Sequence, residues 1–207
     1  MANKISSKAT GPGLIRSIVV VSNSSPSKKF DICKKGAPVQ FKYYESILQD
    51  VIHASITYVD TGNSIDNKTA VEGLPITGSE TVVLKFSDVN DVSIGDAPEL
   101  RLMVNKVTEV LSDSGKTLVT LEMNSKELFD NDKVRINKRF DGLISDHITT
   151  ILEDDEFIGT TKKLHIEKTT NRYNKICSNK KPFFMMNWFS TVAVPGEGAD
   201  QTAEGNT

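Results

Sequence analysis

Leu100–Val110 (LRLMVNKVTEV) and Thr117–Met123 (TLVTLEM) stand on either side of Ser112-Asp113-Ser114-Gly115. Both runs are rich in Leu, Val and Thr. Asp113-Ser114-Gly115 supplies the residues for a left-handed turn. The pattern predicts a β-hairpin, the clearest in the chain. Working outward, Val51–Val59 (VIHASITYV) puts Ile52, Ala54, Ile56 and Tyr58 on one face. Val39–Tyr44 (VQFKYY) alternates Val39, Phe41 and Tyr43 against Gln40, Lys42 and Tyr44, a strand with one face buried. Glu45–Asp50 between them is a short turn or one helical turn. Val82, Leu84 and Phe86 alternate in Glu80–Ser87. Leu14–Ser22 is β-branched through Ile15, Ile18 and Val19–Val21, and Phe30–Lys34 is a short strand ended by Gly36. Asn23–Ser27 (NSSPS) reads as a turn, and the polar stretch Asp60–Gly73 as a protruding loop. About seven short strands at this spacing predict a small closed or nearly closed barrel, or a sandwich.

The pattern changes after Met123. Ser125 is placed to cap a short helix through Asp130. Val134 and Ile136 mark an extended piece. Leu143–Asp154 carries Ile144, Ile148, Ile151 and Leu152 at helical spacing. Thr161–Lys168 (TKKLHIEK) reads as a strand. Lys180–Val194 (KKPFFMMNWFSTVAV) reads as a helix with Pro182 in its first turn and Phe183, Met186 and Phe189 on one side. The expected fold class is mainly β with a mixed α/β C-terminal part. The segments are 1–29 (an arm, polar to Gly13, and the first strand), 30–130 (the barrel) and 131–207 (the mixed part). Pro195–Thr207 (PGEGADQTAEGNT) resembles an internal loop, so the expectation is the front of a longer protein.

Composition narrows the function. Hydrophobic residues make up 38% and charged residues 25% of the 207, a globular balance. With 25 basic and 27 acidic side chains the net charge is -2, which gives no strong field toward nucleic acid or an anionic membrane. The apolar run Ile18–Val21 is far too short for a bilayer span, and the N-terminus has no apolar secretory core. Cys33 and Cys177 are far apart and in no motif, so both read as ordinary thiols.

No catalytic framework emerges. His53, His147 and His165 lack neighbours at metal spacing, so no cofactor or metal is expected. Glu153–Glu156 is acidic without a cation-loop framework and reads as a solvated helix end. Lys133, Arg135, Lys138 and Arg139 are interrupted by Asp130, Asp132 and Asp141, which suits a solvated or intersubunit patch better than a nucleic-acid site. The stripe FFMMNWF at 183–189 fits a helix docking into a core or a subunit interface better than a lipid or ligand surface. Nucleophile and phosphate-loop motifs are missing. A glycan-acting enzyme would need two carboxylates at catalytic spacing; Glu45, Asp60 and Glu80 are the candidates, without a framework to place them.

Two segments carry a family resemblance. Val39–Thr61, containing Tyr44-Glu45-Ser46-Ile47, followed by Leu74–Phe86, containing Leu74-Pro75-Ile76-Thr77-Gly78-Ser79-Glu80, resembles the opening of baseplate central hub proteins of contractile-tailed (myovirus, cyanophage-like) bacteriophages. Lys181-Pro182-Phe183 and Asn187-Trp188-Phe189 resemble a helix in that family's second domain. The resemblance implies a tail-tube-like β-barrel at 30–130 and the start of a second tube-like or α+β domain. It implies a structural virion protein, not an enzyme: a homotrimeric ring joining the hexameric tail tube to the trimeric spike. The partners would be the tail-tube protein, the spike protein and other baseplate (wedge) proteins, with no membrane and no specific nucleic acid. The location would be the tail baseplate of the virion, after assembly in the host cytoplasm. The family is longer than this chain. By analogy with tube-forming barrels, Thr61, Gly62, Asn63, Asn67 and Lys68 in the long loop are the expected contact between stacked rings. The alternative is a tail-tube or tube-initiator subunit, a hexamer, to which the mixed α/β part is foreign.

Overall fold

The computed structural model describes residues 13–25, 27–88, 99–111 and 116–196. The expected arm at 1–12, the hairpin turn at 112–115 and the Gly-rich tail from 197 lie outside them. The chain divides into two compact units, Met1–Lys126 and Glu127–Thr207.

The first unit is built on strands β1 (Gly13–Val21), β2 (Lys29–Asp31), β3 (Ala37–Tyr44), β4 (His53–Asp60), β5 (Thr81–Asp88), β6 (Leu100–Leu111) and β7 (Thr117–Asn124). Two helical turns, α1 (Ile32–Lys35) and α2 (Ala70–Gly73), interrupt them. The strands form one antiparallel sheet in the order β2-β1-β5-β6-β7-β4-β3. Alternation sets its inner face. Val20, Val82 and Leu102 lie opposite one another across three strands, as do Ala54, Met123 and Val104. All six are buried, together with Ile18, Ile56, Leu84, Val119 and Leu121. Each of them larger than Ala54 contributes about 1.5–3 kcal/mol by leaving water.

The sheet curls into a half-barrel. Phe86 of β5 meets Tyr43 and Phe41 of β3 at ring distances of 5.3 and 6.4 Å, although three strands separate β5 from β3. Phe30 of β2 likewise reaches Tyr58 of β4 at 5.8 Å. The end strands β2 and β3 are not each other's ladder partners; α1 joins them along the chain.

Two details differ from the expected strands. Phe30–Lys34 is a strand only to Asp31, because the Asp31 carboxylate accepts the Cys33 N–H at 3.0 Å and starts α1 instead. Val39 was expected inside, but the register slips between Pro38 and Gln40, and Val39 is 63% exposed in the resulting bulge. Glu45–Asp50 forms a turn, one of the two shapes expected for it, with the Gln49 N–H on the Ser46 carbonyl at 3.1 Å.

Tyr58 carries an unusual cost. It is fully buried, and its hydroxyl has no hydrogen-bond partner among the described residues. Burial pushes the phenol well above its ordinary pKa, and Asp60 and Glu109 add to the shift. Tyr58→Phe removes an unsatisfied polar atom and is expected to raise stability by about 1 kcal/mol in denaturant titrations. The pH sign follows from the raised value. The neutral phenol's share of stability is complete below the unfolded pKa of about 10 and is lost above it, so the advantage of the variant widens at higher pH. An unchanged or lowered midpoint would mean that the hydroxyl is satisfied.

The second unit has β8 (Ile136–Phe140) and β9 (Lys175–Lys180) as an antiparallel pair, with helices α3 (Lys126–Lys133), α4 (Ile144–Glu153) and α5 (Pro182–Val192). Its centre is aromatic. Phe189 lies tilted against His147 at 5.3 Å and meets Phe140 and Tyr173 edge-on at 5.7 and 6.3 Å. Pro182 opens α5 as expected, but Met185 rather than Met186 is buried beside Phe183 and Phe189. The expected strand Thr161–Lys168 does not form; β8 takes β9 as its partner. Lys168 and Thr170 instead tie the segment to the chain after α5 through Gly196 N–H to Lys168 O (2.9 Å) and Thr170 N–H to Val194 O (3.0 Å).

Candidate functional site

The loop after β4 is organised by one carboxylate. Asp60 is fully buried at the end of the strand's inward face. It accepts hydrogen bonds from the Gly62 N–H at 3.0 Å, the Ser64 hydroxyl at 2.6 Å and the Ala70 N–H at 2.5 Å. Ile65 and Lys68 close a tight bridge, with Asp66 and Asn67 at positive φ. Thr69 accepts the Glu72 N–H and caps α2. Ala70 and Leu74 are then buried against the barrel core. Gly73 permits this closure, since a Cβ there would stand 2.7 Å from Ile65 Cβ. The segment is therefore a compact lobe with a helical turn, where the sequence reading expected a protruding loop.

Of the five residues expected to make contacts, Thr61, Asn63, Asn67 and Lys68 are exposed on this lobe, and Gly62 is half-buried beneath it. The lobe is pinned outside as well. Lys28 bonds Asp66 at 2.8 Å and holds that carboxyl below its usual range.

A second carboxylate shapes the next loop. Glu80 is 1% exposed and accepts the Thr77 and Gly78 N–H groups, each at 2.9 Å. Gly78 (φ 124) and Ser79 (φ 66) let the chain wrap around it. Thus Leu74–Glu80 is a carboxylate-clasped turn. Of the three carboxylates weighed for catalysis, Asp60 and Glu80 are occupied by backbone donors. The exposed Glu45 accepts the Tyr43 hydroxyl at 2.7 Å; partial burial, with this bond and the Glu45 charge adding to it, pushes that phenol up to about 12.

Two surfaces expose apolar side chains together. The turn between β3 and β4 carries Ile47 and Leu48, 101% and 91% exposed. In the second unit a groove of about 310 Å³ runs between β9 and α5. Ile176, Phe184 and Trp188 line it, exposed, above the buried Met185 and Cys177. Lys175 sits 5.1 Å from the Trp188 ring centre, and Lys180 sits 5.4 Å from that of Phe184. The aromatic stripe at 183–189 thus divides: Phe183, Met185 and Phe189 enter the core, while Phe184 and Trp188 face out. Sequence reasoning missed Ile176 because β9 (KICSNK) has one buried residue, Cys177, and no alternation to mark it. It passed over Ile47 and Leu48, although two adjacent aliphatics in a polar turn are a readable signal.

The remaining candidates have local roles. His147 is buried, its Nε2 bonded to the Tyr173 carbonyl at 2.8 Å; His53 pairs with Asn124; His165 is exposed. Burial pushes both thiols up. In the basic cluster, Arg139 bonds Asp141 at 2.8 Å, and Arg135 bonds the Asp132 and Val134 carbonyls. No group of three metal-ligating side chains converges among the described residues, and no helix there is long and apolar enough to cross a membrane.

No family model and no curated protein matches the chain. Solved structures do. The 43 kDa tail protein of prophage MuSo2 from Shewanella oneidensis superposes with a TM-score of 0.55 at 11% identity, over 86% of this chain and 49% of that one. The E. coli c3393 protein, described as a type VI secretion component structurally similar to T4 tail proteins gp27 and gp5, gives 0.43 at 8% identity, covering 91% and 42%. A chain of the Francisella PdpA–VgrG complex gives 0.48 at 10%, covering 89% and 29%. The fold is that of the prophage tail protein, and the chain spans about half of that protein's length.

Proposed function

We propose that this chain is a structural subunit of a phage tail baseplate, the central hub that joins the hexameric tail tube to the trimeric spike. The observation that carries the reading is the fold shared with a prophage tail protein over most of the chain. Two further features support it. The buried carboxylates are occupied in holding loops, and apolar side chains are exposed in two separate places, as in subunits that complete their burial on assembly. On this reading residues 30–130 form the tube-like barrel and 131–207 the mixed part. Thr61, Gly62, Asn63, Asn67 and Lys68 touch the next ring, and the chain resides in the virion tail with tube, spike and wedge proteins around it.

Electron microscopy of the purified protein mixed with its tail-tube and spike proteins tests this reading. Class averages are expected to show three copies around the axis. Six copies would assign the chain to the tube or its initiator, and a chain that stays single in the presence of both partners would remove the assembly role.

A further inference from the structure

The turn and the groove complement each other in apolar character and charge. The turn presents two adjacent aliphatic side chains almost wholly in water, beside the carboxylate of Glu45. Glu45 has no cationic partner among the described residues. The turn is also held in one shape, with the Leu48 N–H on Ser46 Oγ at 3.2 Å and the Gln49 N–H on the Ser46 carbonyl at 3.1 Å. Little ordering is left to be done on docking. The groove offers the reverse: an apolar floor of Ile176, Phe184 and Trp188, rimmed by Lys175 and Lys180. Each lysine lies over a ring, and neither has a carboxylate partner among the described residues.

We propose that the turn 45–49 of one copy seats in the β9–α5 groove of a second copy, with Ile47 and Leu48 on the aromatic floor and Glu45 at the lysine rim. Turn and groove are different patches, so the contact is head-to-tail, the type that closes into a ring when the rotation permits. The assignment deepens the ring-subunit reading above and rests on it for the meeting of copies.

The chain has a single tryptophan, Trp188, which reports the groove directly. The full chain is titrated with acetyl-Tyr-Glu-Ser-Ile-Leu-Gln-amide, the sequence of residues 44–49. A saturable blue shift is expected. Replacing both aliphatics of the peptide by serine, or using the Lys175→Glu/Lys180→Glu chain, is expected to weaken binding about ten-fold or more. A peptide with lysine in place of its glutamate is expected to recover binding to that charge-reversed chain. No shift, or a shift indifferent to these changes, overturns the proposal. Phosphatidylglycerol vesicles that shift Trp188 as strongly as the peptide does would reassign the groove to an anionic lipid surface.

Assembly is read separately by mass photometry. Glu45→Lys is expected to lower the population of rings, and Glu45→Lys/Lys175→Glu/Lys180→Glu to restore it. Rings that persist unchanged in Glu45→Lys overturn the contact and leave the ring reading standing. A chain that stays single while the peptide binds overturns the ring reading and leaves turn–groove recognition standing.

Discussion

Asp60→Ala is expected to destabilise the first unit by about 3–5 kcal/mol, the cost of stranding several donors around a deleted buried carboxylate. The three groups that lose their acceptor are the Gly62 and Ala70 N–H groups and the Ser64 hydroxyl. Ser64 and Ala70 are themselves buried, so water does not readily replace the lost acceptor. Asp60→Asn keeps one acceptor oxygen but turns an amide N–H toward a donor, and about half of the loss is expected. Urea titration followed by circular dichroism reads both, with a lower midpoint at unchanged slope. Loss of the lobe's order is expected first, as faster hydrogen exchange at residues 61–70. An Asp60→Ala unfolding free energy within about 0.5 kcal/mol of the wild type would show that the lobe closes without its carboxylate.

Phe189→Ala is the corresponding test of the second unit. The ring is fully buried and is the common neighbour of Phe140, His147 and Tyr173. Removing it deletes the largest shared contact and leaves a cavity too central to collapse, at a cost of about 3–5 kcal/mol. The readout is loss of hydrogen-exchange protection in α4, α5 and β8. Phe184→Ala, in the same helix but 52% exposed, is the control; it is expected to change stability by less than about 1 kcal/mol. Equal effects from the two variants would place Phe184 in the core and remove the groove.

Much of the barrel was legible in the sequence. β4 and most of β7 alternate cleanly because one face of each packs on the core and the other does not, whereas β6 loses its alternation at a register slip between Val104 and Lys106. The register slip at Val39 was not legible, since bulges are set by neighbouring strands and the strand's own pattern continues through them. The same holds for β9, a lysine-rich edge with one buried side chain, and for Thr161–Lys168, where Leu164 and Ile166 mimic alternation without a ladder. Asp60 and Glu80 were read as possible catalytic acids because a carboxylate's type says nothing of its partners. Only the fold shows that backbone N–H groups surround them. For the proposed surfaces, the stripe at 183–189 was visible as a whole, but which of its rings faces out depends on a one-residue rotation of α5.

The bulge at Val39 also bears on what happens before any partner arrives. β3 ends the sheet, so its outer edge would be open to any passing strand. Pro38 withholds one N–H from that edge, and the slip beside it breaks the even spacing that a straight strand would need to zip on. At the other end β2 is three residues long, Lys29-Phe30-Asp31, with charges at both termini. Both edges are therefore poor templates for a stray strand. On the proposed ring reading, copies then meet through side-chain docking, which is reversible, rather than through backbone pairing, which in a stray encounter tends not to be.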